Sequence, residues 1–141
     1  MNMTDLQAML IHQEGMKLRA YHDSMGKLTI GCGRNLDDKG ISDEEALHLL
    51  NNDIADAIDD VRHNFSCYDQ LSRARQMALV SMAFNLGREG LSKFVRFIAS
   101  VHLGKWEEAS EHMLDSRWAK QVGIRAEILA RMLRDDTTEW I

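Results

Sequence analysis

Two short alternating segments, Lys17-Leu18-Arg19-Ala20-Tyr21 and Lys27-Leu28-Thr29-Ile30, flank the turn residues Asp23, Ser24 and Gly26. Period-two alternation on either side of such a turn predicts a β-hairpin. The hairpin constrains the fold because the long patterns around it are helical. Upstream, Thr4-Asp5-Leu6-Gln7 has the form of a capping box, and Leu6, Met9 and Leu10 follow at helical spacing, so a first helix ends at Glu14. Downstream, Gly31 to Gly40 is a loop rich in Gly, Asn and Asp, with room for a short third strand. Ser42-Asp43-Glu44-Glu45 then opens a second capping box. Leu47, Leu50, Ile54, Ile58, Val61 and Phe65 recur at steps of three and four, one face of a helix of ~34 Å that either reaches Phe65 or frays near His63-Asn64.

From Met77 to Leu86 the chain is apolar nearly all round, which predicts a helix in the middle of a core. Gly87 and Gly90 punctuate it, and helical patterns resume over Ser92–Leu103, Trp106–Leu114, Arg117–Gln121 and Ile124–Leu133. The absence of proline suits a mostly helical chain. The expected architecture is α+β: a small N-terminal lobe with a short antiparallel sheet (about 12–45), a connecting helix (about 43–65), and a helical lobe (about 66–141) joined by the first helix (4–14). A chain of 141 residues buries ~68% of its unfolded surface and needs no disulfide or metal staple. The nine methionines are expected to fill gaps in the core.

The hairpin also carries chemistry. Glu14 at a helix end, Asp23 at the turn and Thr29 on the return strand can face one space, and two carboxylates with a water-holding hydroxyl are the equipment for glycosidic-bond hydrolysis. Charge weighs against nucleic acid as a partner. Residues 1–71 carry 6 Lys+Arg against 13 Asp+Glu (net −7), residues 72–141 carry 11 against 9 (net +2), and a strongly basic surface is lacking. No apolar run approaches a membrane span, and MNMTDLQAML lacks the basic-then-apolar form of a secretory signal. Cys32 and Cys67 are expected as free thiols without a nucleophilic role. The six histidines show no zinc spacing, and His112 with Asp115 reads as a surface contact, so no metal or cofactor is expected.

The order Glu14, Tyr21, Asp23 and Thr29-Ile30-Gly31-Cys32-Gly33 resembles the phage-type lysozymes, the endolysin family. The likeness continues through Arg75-Gln76-Met77-Ala78, Phe84-Asn85-Leu86-Gly87, Gly104-Lys105-Trp106-Glu107-Glu108-Ala109, Ser116-Arg117-Trp118 and Arg125-Ala126, and so covers essentially the whole chain. The resemblance implies a lysozyme-like fold and an N-acetylmuramidase that cuts the β-1,4 bond between N-acetylmuramic acid and N-acetylglucosamine of peptidoglycan, with inversion. Glu14 would be the general acid, a role that asks for partial burial or a nearby negative charge. Asp23 and Thr29 would hold the attacking water, with the two carboxyl groups ~6.5–9.5 Å apart. Phe84 matches a substrate-cleft position, although a core role is equally open, and Arg125 stands where the family sets an Arg against the acid. Asn35, Phe97 and His112 fall at family binding positions but differ in residue type. Arg34 stands where many relatives have His, and the Asn35–Ile41 loop is shorter than in T-even members. The resemblance further implies a monomer without stable membrane association, held in the host cytoplasm until a separate holin lets it reach the wall for host lysis. The rival readings are a glycan-binding module that does not cut and a structural domain of a phage tail.

Overall fold

The computed structural model describes residues 2–141. By compactness the chain divides into a first unit ending at His48 and a second, Leu49–Ile141. The first unit holds α1 (Met3–Glu14) and a three-stranded antiparallel sheet of β1 (Lys17–His22), β2 (Leu28–Gly31) and β3 (Arg34–Asn35), in the order β1-β2-β3. Helix α1 starts earlier than its sequence pattern predicts. Asn2, not Thr4, is the cap: its Oδ1 accepts from the N–H groups of Thr4 (3.0 Å) and Asp5 (3.3 Å). The predicted hairpin is present, with Tyr21 opposite Thr29 and His22 opposite Leu28, and the short third strand pairs Ile30 with Arg34. An irregularity between Lys17 and Tyr21 breaks the register.

Helix α2 (Asp43–Asn64) begins as its capping box requires. Ser42 Oγ accepts from Glu45 N–H (3.1 Å), while Glu45 Oε1 accepts from Ser42 N–H (3.0 Å). Its apolar stripe is buried only toward the C-terminal end, at Ala57 and Val61, with Phe65 buried just beyond; Leu47 and Leu50 are exposed.

The second unit has a helical core. A short 3-10 turn (Tyr68–Gln70) leads into α3 (Arg73–Ser92), followed by α4 (Val95–His102), α5 (Trp106–Leu114), α6 (Arg117–Val122) and α7 (Ile124–Asp135). Helix α3 is two helices joined at Gly87, whose φ of 74° lies in the left-handed region that side chains avoid. Helix α7 packs against α3, α5 and α6, and α4 packs against α5. Phe65, Leu79, Met82, Leu91, Phe97, Met113 and Leu133 are fully buried there. Arg75 locks the ends of this unit: its guanidinium lies 4.1 Å from the Trp106 ring centre and donates from Nε to the Leu133 carbonyl (2.8 Å). Trp118 Nε1 donates to Asn85 Oδ1 (2.6 Å), which satisfies a buried indole. The expectation for methionine holds only in part. Met82, Met113 and Met132 are buried, but Met16 and Met25 lie on the surface of the sheet unit, whose small sheet has little apolar interior to offer.

Candidate active site

Each candidate side chain is placed by a local device. Glu14 is the last residue of α1, and Gly15 ends the helix by donating to the Ile11 carbonyl (2.8 Å). Glu14 then lies against the Cys32-Gly33 bend. A Cβ added at Gly33 would sit in ordinary contact with Glu14 Oε2 at 3.4 Å, and it is the φ of +77° that calls for glycine there. Leu10, Ile11, Glu14, Met16, Cys32 and Gly33 line a hollow of about 650 Å³. Glu14 itself is exposed. The partial burial that an acid role asks for is therefore not provided at this position.

Asp23 and Thr29 meet at Lys27. Asp23 Oδ1 accepts from the N–H groups of Met25 (2.8 Å) and Lys27 (2.8 Å), closing the hairpin turn, while Thr29 Oγ1 donates to the Lys27 carbonyl (2.8 Å). The two side chains thus hold opposite ends of one residue's backbone. The hydrogen bonds leave Asp23 Oδ2 free among the described residues. They also commit the Thr29 proton, so this hydroxyl can only accept from another group. Thr29 is the buried residue of the strand, with 3% of its surface accessible, between half-buried Leu28 and Ile30. A polar residue can hold that place because its hydroxyl is satisfied.

Arg34 forms an ion pair with Glu45 (2.8 Å) and donates to the Gly40 carbonyl (3.2 Å), tying the loop after β3 to the start of α2. The Arg34 hydrogen bond, followed by those from Ser42, holds the Glu45 carboxyl down at about 2, and the same contact raises Arg34. Asn35 is engaged within its own loop: its side-chain Nδ2 donates to Asp38 Oδ2 (2.9 Å) and its Oδ1 accepts from Asp38 N–H (2.9 Å).

In the second unit, Phe84 and Arg125 line one groove of about 480 Å³ with Ile54, Ile58, Met77 and Val80. Phe84 is 45% exposed, so the core alternative for it does not apply. Arg125 is half-buried and donates to both the carbonyl (2.9 Å) and the hydroxyl (3.2 Å) of Ser81, linking α7 to α3. Sequence reasoning did not anticipate Ser81, since a single serine in an apolar helix gives no signal of its own. Phe97 is a core residue, edge-on to Phe65 at 6.1 Å and to Phe94 at 6.4 Å, and so offers nothing to a ligand. His112 faces Glu108 at 3.6 Å, one helical turn away, rather than Asp115. Cys32 is exposed and Cys67 half-buried, both free, with burial raising the Cys67 thiol. Among the described residues no group of three potential ligands could hold a metal, and no helix is long and apolar enough to cross a membrane.

A small three-stranded antiparallel sheet followed by a helical unit is an α+β fold of the lysozyme-like class. The sequence matches the family described as phage lysozyme over residues 11–135, which include Glu14, Asp23 and Thr29. The chain belongs to the phage lysozyme family and is thereby a lysozyme-class glycoside hydrolase, the class that hydrolyses peptidoglycan. It is 30% identical to the pre-baseplate central spike protein Gp5 of Enterobacteria phage T4 over 146 residues, covering 84% of this chain and 25% of that one. It is 28% identical to probable T4-type lysozyme 2 of Dictyostelium discoideum, covering 87% of this chain and 89% of the relative. Probable T4-type lysozyme 1 of the same organism is 26% identical, with 95% and 96% covered. The chain thus spans about a quarter of the spike protein's length and nearly all of the two amoebal lysozymes.

Proposed function

We propose that this chain is an N-acetylmuramidase that hydrolyses the β-1,4 bond between N-acetylmuramic acid and N-acetylglucosamine, with Glu14 as general acid and with Asp23 and Thr29 holding the attacking water. The supporting observation is the grip of Asp23 and Thr29 on Lys27. A water between Asp23 Oδ2 and Thr29 Oγ1 meets two acceptors and must donate both of its hydrogens to them. Its lone pair is then directed outward to attack the anomeric carbon. As the C–O bond to water forms, the glycosidic C–O bond breaks, Glu14 gives its proton to the leaving oxygen and Asp23 takes one from the water. Attack by water from the face opposite the leaving group inverts the anomeric centre. Closing or loading of the site must supply the desolvation around Glu14 that its exposed position lacks.

Phe84 offers an exposed ring face, the surface on which a sugar stacks, and Arg125 offers a cation on the wall of the same groove. We assign both to glycan binding. The family pattern supports a monomer without stable membrane association that reaches the wall from the host cytoplasm through a separate holin, for host lysis. The likeness to Gp5 favours a second setting, a wall-cutting unit of a phage tail. Copurification of the protein with virions would select that setting.

Digestion of purified peptidoglycan with product analysis tests the activity. New reducing ends on muramic acid are expected. Reducing ends on glucosamine, or cut peptides with intact glycan, would overturn the assignment.

A further inference from the structure

The loop after β3 grips the hairpin from the other end of the peptide that Asp23 and Thr29 hold. The Lys27 carbonyl and the Leu28 N–H belong to one peptide group, which is planar and turns as a unit. Its oxygen accepts the Thr29 hydroxyl proton (2.8 Å) and the Asp23 N–H (2.9 Å). Its N–H donates to Asp37 Oδ2 (2.8 Å). That last bond departs from the sheet. The β2–β3 register pairs Ile30 with Arg34 and Thr29 with Asn35, so Leu28 and Leu36 come next. Leu36 N–H does donate to the Leu28 carbonyl (2.7 Å), but the Leu28 N–H goes to the Asp37 carboxylate. A side chain thus stands in for a ladder carbonyl at the peptide whose oxygen takes the Thr29 proton.

Asp38, next in the chain, is tied differently. It accepts from Lys27 Nζ (3.2 Å) and Asn35 Nδ2 (2.9 Å), and its N–H donates to Asn35 Oδ1 (2.9 Å). The Lys27 and Asp38 side chains are 44% and 59% exposed, so their ion pair contributes little energy. The Asp37 bond acts on direction instead. Two bonds at the carbonyl oxygen leave the peptide plane free to swing about that atom, and the third, at the N–H, stops the swing. Direction decides what Thr29 can do. With its proton on Lys27, the hydroxyl only accepts; released from Lys27, it can donate, and a water beside it no longer gives a hydrogen to each of Asp23 and Thr29. A carboxylate on the N–H also polarises the peptide and strengthens its oxygen as an acceptor.

We infer that Asp37 is a positioning residue for hydrolysis: it locks the Lys27–Leu28 peptide so that Thr29 remains an acceptor and the attacking water keeps its orientation. The inference rests on the reading of Thr29 as a holder of that water.

The test measures turnover of purified peptidoglycan by variants of the full chain. Asp37→Ala should lower kcat about ten-fold, the size of one hydrogen bond to a charged group, with KM nearly unchanged. Asp37→Asn keeps an acceptor oxygen and should restore most of the rate. Asp38→Asn removes the neighbouring charge without touching the peptide and should turn over as wild type. Added to Thr29→Val, the Asp37→Ala change should cost nothing further, since the hydroxyl it orients is gone. In NMR, Asp37→Ala should move the Leu28 amide proton upfield and speed exchange of the Thr29 hydroxyl proton with water. Asp37→Ser, whose hydroxyl ends short of the Leu28 N–H, carries the same comparisons if the alanine variant does not fold. A wild-type kcat in the folded variant, an equal loss in Asp38→Asn, or a full further loss on top of Thr29→Val would each overturn the inference. Thr29→Val alone tells this failure from failure of the water-holding reading. Wild-type turnover there removes that reading, while the two proton signals still decide whether Asp37 fixes the peptide.

Discussion

Asp23 closes a turn in this structure and holds the water in the proposed mechanism, and two substitutions pull these roles apart. Its Oδ1 closes the hairpin turn through two 2.8 Å bonds from Met25 and Lys27 N–H, while Oδ2 is the atom assigned to the water. Asp23→Ala removes both. Two hydrogen bonds to a charged group contribute ~1.5–3 kcal/mol each when buried. Asp23 is half-exposed, and both amides can turn to water instead, so the net loss should be ~1–2 kcal/mol. For a chain of this size that lowers Tm by ~3–8 °C. Asp23→Asn keeps a carbonyl oxygen for the turn and should cost less than ~1 kcal/mol. It removes the negative charge and base from the water position, so hydrolysis should fall ~10²–10⁴-fold. The assay pairs thermal melts with hydrolysis of purified peptidoglycan. The reasoning predicts that both variants lose activity alike, while only Asp23→Ala loses appreciable stability. An Asp23→Asn protein with wild-type turnover would show that Asp23 serves the turn alone.

Glu14→Gln should leave the fold and helical circular dichroism unchanged while removing a general-acid contribution of ~10²–10⁴ in rate; a folded variant that lyses normally would refute the assignment. NMR of the early products should show the α-anomer first, and a β-anomer would make Asp23 a nucleophile. Glu45 is held at about 2, below the usual carboxylate range, so its stabilisation is complete above that range and disappears as the pH falls toward 2. The Tm gap between wild type and Glu45→Gln should therefore be present at neutral pH and close between about pH 4 and 2; a gap constant across that window would contradict the Arg34 pairing. A Cys32→Ala/Cys67→Ala protein should retain turnover, and a collapse with stability preserved would reveal a thiol role.

Legibility along the chain followed the range of the forces involved. The hairpin, the reciprocal cap of Ser42 and Glu45, and helix α5 could be read from sequence because each is set by neighbours a few residues apart. The start of α1 was misread by the same logic, since Asn2 and Thr4 are both good caps and only the backbone chooses between them. Phe97 shows the opposite limit. It falls at a family binding position but differs there in residue type, and three rings meeting in the core take it inside.

The sequence alone determined the α+β class, the element order and the family, since periodicity, caps and motif order are written along the chain. Tertiary structure decided which faces became interior. It buried Thr29 rather than its apolar neighbours, gave Arg125 to Ser81, and left Phe84 on a groove wall. Those outcomes depend on residues up to 44 positions apart, as Arg125 and Ser81 are, so no local pattern carries them. Burial and hydrogen-bond partnership belong to pairs of surfaces, which exist only after the elements have packed.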